Sequence, residues 1–125
     1  MVNGKPVAMG EYLGREWSEA IRSLAQINTT EQPTYCQTPL RPWQKTGVAK
    51  LKYLRTSRCK GGILGDEQGL GKTVEVLSAM VHEICSGDSV YNGFNLIITI
   101  KASIPEWLEA VSGEPTHAAG STSVL

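Results

Sequence analysis

The 125 residues carry 12 Lys+Arg against 12 Asp+Glu, a formal net charge of zero, and 41% of them are hydrophobic. Such a composition supports a core and argues against wholesale disorder, and it lacks the basic excess that usually marks a nucleic-acid binder. The length fits one small domain or part of a larger one. The three cysteines, Cys36, Cys59 and Cys85, stand far apart with no Cys-x-x-Cys and no histidine pair nearby. That spacing excludes a standard zinc site and argues against a disulfide framework, and free thiols fit a reducing compartment. Met1 to Gly10 has no apolar run of the secretory kind, and Leu96 to Ile100 is far too short to span a membrane. A soluble, intracellular protein is expected.

In chain order, Trp17, Ile21, Leu24 and Ile27 recur at helical spacing between Arg15, Glu19 and Arg22, which predicts an amphipathic helix over 15–27. Asn28 to Pro39 is rich in Thr, Gln and Pro and reads as an extended linker. Pro42 opens a second helix running to about Thr56. A modest cationic cluster, Lys50, Lys52, Arg55, Arg58 and Lys60, suits a solvated helix face as well as a binding patch. "GGILG", Gly61 to Gly65, reads as a short buried strand, followed by a glycine-rich turn and a helix from Lys72 that ends at Ser86, Gly87 and Asp88. "NLIITI", Asn95 to Ile100, reads as a second buried strand, and Pro105 to Val111 as a short helix. From Ser112 the composition is that of a frayed tail. Strand, loop, helix, strand, helix is the opening of a parallel α/β sheet.

The chemistry concentrates in "GDEQGLGKT", Gly65 to Thr73, between a strand and a helix. A triphosphate needs inward-pointing backbone N–H groups and small residues that let the chain curl around it, here Gly69 and Gly71 flanking Leu70. The helix from Lys72 adds its unpaired amides and partial positive charge. Lys72 reaches the β- and γ-phosphates and the Thr73 hydroxyl suits Mg²⁺. The generic pattern wants glycine five places before Gly71, where this chain has Asp66. The alternative is a glycine-rich turn that binds nothing.

"LRPWQKTGVAKL", Leu40 to Leu51, taken with "GGILGDEQGLGKTVEVLSAM", resembles the Swi/Snf-type helicase-like ATPases, the motor family of chromatin remodellers. The resemblance runs from Leu40 to about Val111. It implies that Asp66 is the usual residue at its place, and that Asp66 and Glu67 shape the acidic start of the loop. It implies that Gln44 reads adenine, its amide donating and accepting at once. Trp43 stands where the family usually has Tyr, and Gly65 and Gln68 replace the usual Ala and Met. Lys72 and Thr73 match the phosphate lysine and the magnesium ligand. In the next block, "ITIKASIPEW", alignment on Trp107 puts Ile100 at the family's Pro and Ala102 at its Ser, so the hydroxyl that would meet a nucleic-acid phosphate is displaced to Ser103.

The resemblance therefore implies ATP and Mg²⁺ as cofactors, DNA or chromatin as partner, and a nuclear location. No Asp-Glu-x-His sequence follows Val111, and no second lobe with its arginine finger is present, so ATP binding without appreciable turnover is expected. The expected fold is α/β, an incomplete RecA-like P-loop lobe with parallel strands over 40–111, preceded by a helix and linker over 1–39 and followed by a tail over 112–125. The rival reading is a non-catalytic nucleotide-binding or interaction module that docks a protein through the Trp17–Ile27 helix. A small-molecule kinase is a third, disfavoured because such kinases place the loop near the N-terminus.

Overall fold

The computed structural model describes residues 4–8, 11–12, 14–34, 36–86 and 94–112. The expected tail beyond Ser112, together with Gly87 and Asp88, lies outside these. The chain forms two compact units, residues 1–88 and 89–125.

In the first unit, helix α1 spans Arg15–Gln26, α2 spans Pro42–Thr56 and α3 spans Lys72–Cys85. Gly14 precedes α1 at φ 81°, a left-handed conformation that glycine adopts without Cβ strain. The Arg15–Glu19 ion pair at 2.8 Å is exposed and sits one turn apart, so it steadies the helix by only a few tenths of a kcal/mol, roughly. Ala20 is buried, and the helix packs on α2. Pro42 occupies the first turn of α2, where its missing N–H has no partner to lose. Gln44 then reaches back so that its Oε1 accepts the Arg41 N–H at 2.9 Å, half of a capping box.

The main packing seam lies between α2 and α3. Gly47 and Val48 of α2 and Glu75 and Ser78 of α3 are buried. Arg55 pairs with Glu83 across the same two helices.

The linker is not a free tether. Thr46 Oγ1 accepts the Thr29 N–H at 3.4 Å, and the Lys45 ammonium donates to the Thr30 carbonyl at 3.0 Å. The Gln32 amide donates to the Thr38 carbonyl at 2.8 Å and accepts from Leu40 N–H at 3.1 Å, closing the loop between them. Cys36 Sγ lies 3.1 Å from Ser78 Oγ of α3. Side chains of helix α2 thus satisfy backbone groups that the proline-bearing linker cannot pair within itself.

In the second unit, a 3₁₀ turn over Lys101–Ser103 leads into α4, Ile104–Ser112. The Ser103 N–H donates to the Ile100 carbonyl at 3.0 Å.

The parallel-sheet expectation is overturned. Among the described residues there is no strand and no sheet, and the chain is helical. Residues 61–67 and 94–100 carry no ladder. Ile63 is 97% exposed and Ile98 87% exposed, where buried strands were expected. An apolar run bounded by glycines reports a preference for burial, but a strand exists only where a neighbour accepts its hydrogen bonds. The helices predicted at Pro42, Lys72 and Pro105 are present within a residue or two of the expected bounds. Cys36 and Cys59 are half-buried and Cys85 exposed. No helix among the described residues is long and apolar enough to cross a membrane.

Candidate functional site

The site forms where the irregular segment 61–67 turns into α3. Gly69 and Gly71 hold φ 88° and 87°, the left-handed region in which a side chain is strained. At Gly71, the residue that caps α3, an added Cβ would also collide with the Gln44 amide nitrogen. At Gly69 it would meet nothing within 4 Å. One glycine therefore serves curvature alone, and the other serves curvature and close approach.

Leu70 links them, and its carbonyl accepts two side-chain donors from α2, Gln44 Nε2 at 3.1 Å and Trp43 Nε1 at 3.4 Å. The Arg41 guanidinium lies 5.2 Å from the Trp43 ring centroid, a cation–π distance. Among the described residues each side of the Gln44 amide has one partner, Arg41 N–H and Leu70 carbonyl, which leaves one N–H and one lone pair without a partner among them. Gln44 is only 8% exposed, so it is no solvated helix glutamine.

The Lys72 ammonium folds back over the loop and donates to the carbonyls of Asp66 at 2.7 Å and Glu67 at 2.9 Å. Asp66, Glu67 and Gly69 are exposed, and Leu70, Gly71, Lys72 and Thr73 half-buried. Thr73 falls in the first turn of α3, where the helix leaves its first amides unbonded.

Glu75, one turn beyond Lys72, was not singled out by the sequence. It is completely buried, and neither carboxylate oxygen has a hydrogen-bond partner among the described residues. Burial first, then the nearby Asp66 charge, push its pKa from 4.5 up to about 7, against the opposing pull of the Lys72 ammonium. It stands against Gly47, whose missing Cβ leaves the room it fills. The visible signal was a single carboxylate amid Val74, Val76 and Leu77, three residues after Lys72, as Gly47 is three after Gln44.

Three of the five residues of the cationic cluster have partners within the first unit. Arg55 pairs with Glu83, Arg58 with Glu16 at 2.9 Å, and Lys52 Nζ lies 2.6 Å from His82 Nε2. His82, given no function by the sequence, also has Nδ1 3.4 Å from the Thr34 carbonyl of the linker. An apolar groove of about 590 Å³ runs beside the loop between α1, α2 and residues 63–66, floored by Leu24, Leu51, Leu54 and Ile63. Trp107 and Ser103 belong to the second unit, half-buried both.

The loop residues fit a polyphosphate on their own geometry. Gly69 and Gly71 at positive φ, open space at Gly69 and a lysine whose partners among the described residues are backbone carbonyls are features that suit an oxyanion.

The family described as SNF2-related domain matches residues 43–113, more than half of the chain. The ATP-dependent helicase rhp16 of Schizosaccharomyces pombe is 33% identical over 93 residues, covering 74% of this chain and 10% of that protein. The probable ATP-dependent DNA helicase CHR23 of Arabidopsis thaliana is 35% identical over 94 residues, 74% of this chain and 8% of the relative. The chromatin-remodeling ATPase INO80 of Saccharomyces cerevisiae is 33% identical over 90 residues, 72% of this chain and 6% of the relative. The chain thus spans a tenth or less of the length of these relatives. No solved structure matches.

Proposed function

The chain belongs to the SNF2-related domain family, and on that premise we propose that Gly65 to Thr73 bind the phosphates of ATP, with Gln44 at the adenine. The observation that carries the reading is the Gly71 corner. A left-handed glycine at the N-terminus of α3 is backed by the Gln44 amide, with Lys72 folded over the same loop. This sets a base-reading group and a phosphate-reading group on either side of one turn.

In this reading the Lys72 ammonium exchanges its two carbonyl partners for β- and γ-phosphate oxygens. The first amides of α3 and the N–H groups around Gly69 and Gly71 receive the remaining charge. Gln44 presents its uncommitted N–H and lone pair to a purine edge that both donates and accepts. The Thr73 hydroxyl would hold Mg²⁺, which when bound supplies charge neutralisation between phosphates. Asp66 and Glu67 act through their backbone carbonyls, as the loop's acidic, shape-giving start.

With no Asp-Glu-x-His sequence among these residues to orient a water, the chain on its own binds nucleotide without appreciable turnover. By its family it is part of a DNA-dependent ATPase of the chromatin-remodelling or repair kind, acting in the nucleus. DNA contact through the Ile100 to Trp107 block lacks a hydroxyl at the family's place.

The test is a titration of the purified chain with a fluorescent ATP analogue and Mg²⁺, beside Lys72→Ala, following phosphate release in the same samples. Saturable binding that Lys72→Ala weakens by about a hundredfold, without release, is expected. Binding insensitive to Lys72 would sink the assignment, and release unaided by other sequence would sink the claim of inactivity.

A further inference from the structure

Among the contacts between α2 and the P-loop unit, two involve a glycine, and they lie one turn apart on each helix. The first is Gln44 against Gly71, where an added Cβ would strike the amide nitrogen. The second is Gly47 against Glu75, where an added Cβ would strike Oε2 and come within 2.9 Å of the carboxyl carbon. Gly47 and Glu75 are both buried, Glu75 completely. Position 44 precedes 47 by one turn of α2, and Gly71 precedes Glu75 by one turn of α3. Each seam pairs a glycine with a side chain from the opposite helix, in reciprocal sense. The glycine of the first lies on the loop side and that of the second on α2.

We propose that Gly47 and Glu75 are positioning residues for the nucleotide base: their contact sets how far Gln44 stands from the P-loop. The inference rests on the ATP-binding reading above and deepens it. A carboxyl without a hydrogen-bond partner is a poor choice for stability alone, since burying it has a cost that a hydrophobic side chain of the same size avoids. Its flat head fills the space left by Gly47 and acts as a spacer. Helix interiors transmit such a displacement rather than absorbing it, because packed cores have little free volume. Moving α2 outward at Gly47 therefore moves Gln44 away from the Leu70 carbonyl, while Lys72 and the loop amides, which belong to the other side of the seam, stay where they are. Base reading and phosphate reading become separable properties.

The experiment compares the dissociation constants of ATP and of inorganic tripolyphosphate, each with Mg²⁺, for the full chain, Gly47→Ala, Glu75→Ala and the double variant. Helicity is checked by circular dichroism. Gly47→Ala is expected to weaken ATP about tenfold while tripolyphosphate stays within about twofold. The double variant, in which removal of the carboxyl makes room for the new methyl, regains most of the ATP preference. Should Gly47→Ala fail to fold, Glu75→Ala carries the test. It narrows the gap between ATP and tripolyphosphate, and Glu75→Gln, of the same shape, restores it. Equal losses for both ligands in folded variants, or additive losses in the double variant, overturn the positioning role and leave ATP binding intact. A wild-type chain that binds neither ligand overturns the ATP reading itself, and this inference with it.

Discussion

Glu75 shows how one side chain ties stability to acidity. Its carboxyl has a pKa of about 7 in the folded chain against 4.5 when unfolded. The folded state therefore holds the proton more tightly, and the stability this contributes is fully present below pH 4.5. It is lost as pH rises through 7, when the buried group must ionise. Without nucleotide or magnesium, the chain should lose on the order of 3 kcal/mol across that window. Glu75→Gln should flatten the profile. Urea midpoints measured at pH 5 and pH 8 check this, and a wild-type curve as flat as that of Glu75→Gln would refute it. Gly71 and Gln44 were legible in the sequence, because the motif spacing and the Arg-Pro-aromatic-Gln block name them directly. Glu75 and Gly47 were not, since their importance arises from the crossing of two helices that no local pattern encodes.

At the scale of elements, α2 carries the fold. It receives α1 on one side, α3 on another, and the linker through Thr46 and Lys45. Val48 lies at the centre of that convergence, 1% exposed. Val48→Ala removes two methyl groups from a packed site and should cost about 2 kcal/mol, read as a lower denaturant midpoint with unchanged slope. Thr46→Val keeps the volume but removes the hydroxyl from Thr29, so amide exchange over residues 28–31 should quicken while α2 stays protected. Equal protection in both proteins would show that the linker is held by other bonds. The helices were readable because apolar residues at helical spacing and a first-turn proline agree. The linker's lacing was not, because its partners lie about 17 residues away in sequence, as between Thr29 and Thr46.

For the molecule as a whole, the apolar runs that looked like strands stand in solvent. Leu96, Ile98 and Ile100 are 70%, 87% and 71% exposed in a stretch without ladder bonds. Neutral, apolar segments of this kind invite pairing between copies. Concentration-dependent association is expected by analytical ultracentrifugation, and Ile98→Lys should shift it to higher protein concentration. A variant that associates like the parent would place the contact elsewhere. The sequence reported the hydrophobic content of these runs faithfully and their burial wrongly, since burial depends on what lies opposite.

The hold of Lys72 on the carbonyls of Asp66 and Glu67 gives the loop a threshold. An ammonium with two oxygen partners is already solvated by its own chain, so a guest must outbid that solvation before any attraction is felt. Chloride brings no oxygen and acetate two that share a single charge, so neither gains much by the exchange. In the proposed reading a polyphosphate offers several oxygens and would meet the helix amides in the same step. On the proposed reading the loop would favour a polyphosphate, and chloride or acetate at ordinary concentrations should leave the Lys72 contacts in place.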